Sequence, residues 1–167
     1  MEKYNLIQLS ILIVEQHSLI RYAIREILKQ FWPREVWDTA DMEEVRELIE
    51  IHHPDVIFTD CAPAFDGIDL VRKIRDKENG PDRFLPIIIV SAYTDLKTVL
   101  NARGSGANEF LTKPFTATSI YKRLCSLIER ERYFIQCATF FGLDRRRRRL
   151  DWSKPERHAP ARVPIPA

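Results

Sequence analysis

The feature that most constrains this chain is an alternation between short β-branched runs and longer segments of helical periodicity. The runs are Ser10-Ile11-Leu12-Ile13-Val14, Glu35-Val36-Trp37-Asp38, Asp55-Val56-Ile57-Phe58-Thr59, Pro86-Ile87-Ile88-Ile89-Val90 and Asn108-Glu109-Phe110-Leu111. Three of them are continuously apolar, the pattern of strands covered on both faces of a parallel sheet. Between the runs, Leu19, Ile20, Ala23, Ile24, Ile27 and Leu28 recur at spacings of three and four, with Ser18 as the candidate cap. Val45, Leu48 and Ile49 mark a second helix introduced by Asp41, and Ile68, Leu70, Val71 and Ile74 a third after Asp66-Gly67. A shorter, more polar fourth helix is expected from Asp95 to Arg103, before Gly104-Ser105-Gly106. The fifth follows Pro114 and carries Ile120, Leu124 and Leu127. Five strands alternating with five helices imply a doubly wound α/β sheet, because parallel strands need crossover helices of one hand.

In such sheets ligands bind beyond the carboxyl ends of the strands, near a topological switch point. Polar residues that terminate apolar strands should therefore form one cluster. Strand one ends in Glu15-Gln16, strand three in Asp60 and strand four in Ser91, while strand five leads to Thr112-Lys113-Pro114. Carboxylates, a hydroxyl and an ammonium thus converge from separate parts of the chain. His17, His52, His53 and His158 have no ligand or nucleophile spacing and read as structural or surface residues.

Composition bounds the rest. A chain of 167 residues, 45% hydrophobic and 30% charged, has the length for one buried domain plus a tail. The longest apolar runs are far below the ~20 residues that cross a bilayer, and the first residues lack a signal-peptide pattern. Three cysteines without metal-like spacing suit a reducing cytoplasm. Net charge changes sign along the chain: −3 through Arg132, +5 from Tyr133 onward. The expected division is a globular domain over 1–132 and a basic, Pro-rich, partly disordered tail over 133–167. Within the tail, Phe134, Ile135, Phe140 and Phe141 suggest a segment lying back on the domain or a continued helix. The run Arg145 to Arg149 could meet phosphates, an anionic membrane face or an acidic protein, but no base-reading motif accompanies it, so nucleic acid is not the expected partner.

Taken in order, these elements resemble the receiver domains of bacterial two-component response regulators, over roughly residues 8–132. The residues that carry the resemblance are Ile13-Val14-Glu15-Gln16, Val56-Ile57-Phe58-Thr59-Asp60, Asp66-Gly67, Ile89-Val90-Ser91-Ala92 and the run Gly106 to Phe115. The last is the most specific. The resemblance implies a flavodoxin-like sheet of five parallel strands in the order 2-1-3-4-5, and a stand-alone, chemotaxis-type switch with no separate catalytic output domain. It makes Asp60 the acceptor of a phosphoryl group from phosphohistidine on a histidine kinase or phosphotransfer protein. Lys113 and Ser91 would contact the phosphoryl oxygens. Mg²⁺ would be held by Glu15, Gln16, Asp60 and the Ala62 carbonyl, in keeping with its preference for a few carboxylate oxygens and retained waters. Phe110 would rotate as the switch aromatic, Lys113–Pro114 is a candidate cis peptide, and the face of helix four, strand five and helix five would meet a downstream target protein or a second copy.

The chain departs from the family pattern in two places. Gln16 stands where most receivers carry a second acid, which removes a unit charge and implies weaker Mg²⁺ binding. The segment Cys61 to Phe65 is one residue shorter than usual, and Pro63 restricts the backbone of Ala62. Ser91 for threonine and Phe110 for tyrosine are milder changes. These departures leave one alternative, a pseudo-receiver scaffold that works without phosphate; the basic tail leaves another, binding through the tail to nucleic acid or an anionic surface.

Overall fold

The computed structural model describes residues 4, 6–62, 65–76, 78–129, 134–137, 140–143 and 161–163. Strands β1 (Ser10–Val14), β2 (Glu35–Thr39), β3 (Val56–Asp60), β4 (Ile87–Ser91) and β5 (Glu109–Thr112) alternate with helices α1 (Ser18–Lys29), α2 (Val45–His52), α3 (Gly67–Arg75), α4 (Leu96–Ser105) and α5 (Ala117–Glu129). The five strands are parallel and lie in the order β2-β1-β3-β4-β5, as expected from the sequence.

The continuous apolar runs conceal a period of two. Ile11 and Ile13 of β1, Phe58 of β3 and Ile88 and Val90 of β4 pack with Ile24 and Leu28 of α1 and Ile120 and Leu124 of α5. The intervening Leu12, Val14, Ile57, Ile87 and Ile89 pack on the other face with Val45 and Ile49 of α2 and Val71 and Ile74 of α3. Both faces of β1, β3 and β4 are therefore buried, which is why these three strands read as unbroken hydrophobic segments. The edge strand β2 is only partly covered and carries a mixed sequence.

Helix boundaries follow local chemistry. Asp66 caps α3 by accepting from the Asp69 N–H, and Asp95 caps α4 by accepting from the Thr98 N–H. Thr116 and Ser119 exchange side-chain-to-backbone bonds at the start of α5, a capping box with serine in the second place. Gly106 closes α4 in the left-handed region at φ +102°. One cap differs from the sequence reading. Ser18 is the first helical residue of α1 rather than its cap: His17, in extended backbone, holds the cap position, and its N–H donates to the Glu15 carboxylate at 2.8 Å. Asp41 introduces α2 from the turn before it, where its carboxylate accepts from the Glu43 N–H.

Arg75 locks the opposite end of the sheet. Its Nε donates to the Gly106 carbonyl and a terminal nitrogen to Asn108 Oδ1, which also accepts from the Ile87 N–H. Burial pushes this guanidinium down to about 9, and it stays cationic at neutral pH. Arg75→Met removes the donor that serves a buried carbonyl, and should cost about 2 kcal/mol, read as a lower urea midpoint with an unchanged slope.

Beyond α5 the chain forms β6 (Phe134–Cys137), β7 (Phe140–Leu143) and β8 (Ala161–Val163), an antiparallel sheet in the order β7-β6-β8. Of the two alternatives the sequence offered here, a continued helix is thereby corrected to paired strands. The β-branched and aromatic residues of this stretch favour extended backbone once a partner strand is available. Arg145 to Arg149 lie outside the described residues. No helix among the described residues is long and apolar enough to cross a membrane.

Candidate functional site

Sheet register builds the site. Val14 pairs with Thr59, so the next residues, Glu15 and Asp60, emerge side by side at the switch point between β1 and β3. Asp60 pairs with Val90, which places Ser91 one step further along β4. Ser91 pairs with Thr112, and the Lys113 N–H donates to the Ser91 carbonyl at 2.8 Å. Glu15, Asp60 and Ser91 are buried, at 1%, 6% and 0% exposure.

The Lys113 ammonium joins the two carboxylates. Its Nζ lies 2.7 Å from Asp60 Oδ1 and 2.8 Å from Glu15 Oε2. Glu15 uses its other oxygen on the His17 N–H. A shared cation offsets the cost of placing two neighbouring carboxylates in a partly desolvated place. An open cleft of about 490 Å³ lies over this group, rimmed by Gln16, His17, Ser18, Ala62, Ala92 and Tyr93. A small tetrahedral anion has room there beside Asp60. The Lys113–Pro114 peptide is cis.

Ser91 and Ala62 are engaged with the protein itself. The Ser91 hydroxyl donates to the Cys61 carbonyl at 2.7 Å and accepts from the Tyr93 N–H at 3.0 Å. The Ala62 carbonyl accepts from the Phe65 N–H at 2.9 Å, and the Ala62 N–H donates back to the Phe65 carbonyl at 3.0 Å. Phe110 is half-buried against the core face shared with α2 and α3. Gln16 is exposed at the rim of the cleft. Among the described residues, no group of three His, Cys, Asp or Glu side chains gathers; Mg²⁺ needs only one or two carboxylates and keeps its waters. The oxygen donors facing the cleft are two carboxylates and an amide, which suit a hard cation such as Mg²⁺ with one charge fewer than a three-acid site.

Three further residues shape the site: Gly67, Arg21 and Cys61. Gly67 begins α3 against the end of β3, and a Cβ there would fall 1.8 Å from the Asp60 carbonyl oxygen. Arg21 donates to the Glu15 carbonyl from α1; its place one turn after His17 was the only available clue. Cys61 follows Asp60 directly. Burial, and then the Asp66 and Asp60 carboxylates, push its thiol above the usual range, so it is a poor nucleophile at neutral pH.

Comparison with known proteins agrees with this geometry. The profile of the response regulator receiver domain matches residues 11–125. The transcriptional regulatory protein PdtaR of Mycobacterium tuberculosis is 34% identical over 111 residues, covering 66% of this chain and 52% of that protein. This chain thus spans about half the length of PdtaR. Chemotaxis protein CheY-3 of Vibrio cholerae is 27% identical over 123 residues, covering 73% of this chain and 93% of that one. Among solved structures, the receiver domain of sensor histidine kinase PA1611 from Pseudomonas aeruginosa PAO1 has a TM-score of 0.63 at 31% identity. It covers 74% of this chain and 99% of that one, and it has a magnesium ion coordinated in its active site cleft.

Proposed function

We propose, from the premise that this chain belongs to the response regulator receiver domain family, that Asp60 accepts a phosphoryl group and that the chain acts as a phosphorylation-controlled signalling switch. The observation that carries this reading is the Lys113 ammonium held between Asp60 and Glu15 under an open cleft. An Asp60 carboxylate oxygen attacks the phosphorus of a phosphohistidine on a histidine kinase or phosphotransfer protein. The P–N bond breaks, the imidazole leaves, and an acyl phosphate remains on Asp60. Such transfer depends on positioning and charge neutralisation more than on covalent chemistry by the protein. Lys113 moves its charge from the free carboxylate to the phosphoryl oxygens, a role suited to a flexible point charge.

Glu15, Asp60, the Gln16 amide and the Ala62 carbonyl would hold Mg²⁺. The ion, when bound, supplies neutralisation of charge on the phosphoryl oxygens. Because Gln16 brings no charge and the Ala62 carbonyl already serves Phe65, binding is weak. Gln16→Asp restores a unit charge a few ångströms from the cation, a gain on the order of 1 kcal/mol at an effective dielectric near 20. Mg²⁺ titration should therefore show at least about fivefold tighter binding in the variant; equal affinities would contradict this.

The Ser91 hydroxyl gives up the Cys61 carbonyl for a phosphoryl oxygen, and the loop bearing Tyr93 follows through its N–H. Phe110 and the surface of α4, β5 and α5 respond, biasing two existing conformations. Tyr93, Leu96 and Leu100 are exposed at this face, at 48%, 74% and 53%, which supports its use by a downstream protein or a second copy. We divide the chain into a receiver domain over 1–132 and a basic tail over 133–167, and place it in the cytoplasm. Gln16 and the bonded Ala62 carbonyl favour one second reading, a receiver-like scaffold that works without phosphate. Incubation with acetyl phosphate and Mg²⁺ separates the two: the first reading expects a base-labile adduct that Asp60→Asn abolishes, the second expects none.

A further inference from the structure

Arg21 lies on α1 behind the loop that carries Glu15 and Gln16, outside the cleft. Its Nε donates to Asp38 Oδ2 on β2 at 3.0 Å. One terminal nitrogen donates to the Glu15 carbonyl at 2.7 Å and to the Gln16 carbonyl at 3.4 Å. Arg25, one turn later, pairs with the other oxygen of the same Asp38 carboxylate and has no hydrogen bond to either carbonyl among the described residues. The loop is thus clamped from two sides. Its carbonyls are drawn toward the guanidinium, while the Glu15 carboxylate faces the cleft and meets Lys113 and the His17 N–H. A guanidinium suits this place because its planar fork serves a carboxylate and a carbonyl at once.

We propose that Arg21 is a positioning residue for the phosphoryl site: anchored on Asp38, it fixes the Glu15–Gln16 backbone so that Glu15 is presented to Lys113 and Asp60. The proposal rests on the reading of Asp60 as acceptor. It predicts separate consequences for two arginines that share one carboxylate. Arg21→Met frees both carbonyls, whereas Arg25→Met weakens only the Asp38 pair. Small displacements of a positioning group cost one to two orders of magnitude in rate. The loop keeps other bonds, so the expected loss for Arg21→Met is roughly tenfold.

The test compares the native chain with Arg21→Met, Arg21→Lys and Arg25→Met. The readouts are the labelling rate with acetyl phosphate and Mg²⁺, and the NMR shift and hydrogen exchange of the His17 amide. Arg21→Met is expected to label about tenfold more slowly, with the His17 amide moved upfield and exchanging faster. Arg21→Lys, which keeps a cation near Asp38 without the fork, should share these changes, while Arg25→Met should stay within about twofold of native in both readouts. Equal effects at Arg21 and Arg25, full recovery by lysine, or an unchanged His17 amide in Arg21→Met would each overturn the proposal, as would native labelling in that variant. A native chain that takes no label overturns the acceptor reading instead, and the His17 amide then decides the part played by Arg21.

Discussion

Lys113→Met should lower stability at neutral pH by about 3 kcal/mol, the scale for removing one partner from a buried ion pair. Lys113 compensates two carboxylates, Glu15 and Asp60, whose side chains are only 2% and 8% exposed, while its own is 13% exposed. Methionine preserves much of the stem's volume but leaves two like charges facing each other. In urea the midpoint should fall by on the order of 1 to 2 M. A double variant separates this cause from lost packing. Adding Glu15→Gln to Lys113→Met removes the repulsion, so the pair should be more stable than Lys113→Met alone, a coupling measurable by a double-mutant cycle. Additive losses would show that the stem, not the charge, matters.

Gly67→Ala should be nearly as costly, by a different route. A Cβ at Gly67 would lie 1.8 Å from the Asp60 carbonyl oxygen and 2.9 Å from Thr59 Oγ1. The first neighbour is backbone in the central sheet, so no side-chain rotation relieves the clash. The start of α3 must move away from the end of β3. Overpacking of this kind costs about 1 to 3 kcal/mol, and this contact belongs at the upper end. The same movement displaces Asp60 from Lys113, so labelling should fall further than stability alone accounts for. Thermal melts and labelling rates on the same preparation check both statements; a variant with native values in each would contradict the close packing of α3 on β3.

The sheet was legible because its three central strands are buried on both faces and must be apolar throughout. Each boundary of the five parallel strands falls within a residue of the expected position, since a strand end coincides with a switch from apolar to polar side chains. The site residues were legible for the same reason: Asp60 and Ser91 end their strands, Glu15 and Lys113 directly follow theirs, and register then brings them together. What was hidden is where their bonds go. The Ser91 hydroxyl resting on the Cys61 carbonyl, and the Ala62 carbonyl accepting from Phe65, depend on backbone paths that residue types do not encode. Arg21 was hidden because it uses backbone carbonyls, which every residue possesses. Beyond α5, of the two alternatives a continued helix failed: β6 turns back on β7 and also pairs with the distant β8, and pairing of this kind is not registered by helical periodicity.

The central claim is that Asp60 receives the phosphoryl group. Its most direct test is to label the native chain with acetyl phosphate in Mg²⁺, reduce the adduct with borohydride and locate the modified residue by mass spectrometry. The account predicts a single modification at Asp60, lost in Asp60→Asn. An unlabelled chain under conditions that label an ordinary receiver, or label that persists in Asp60→Asn, would contradict it.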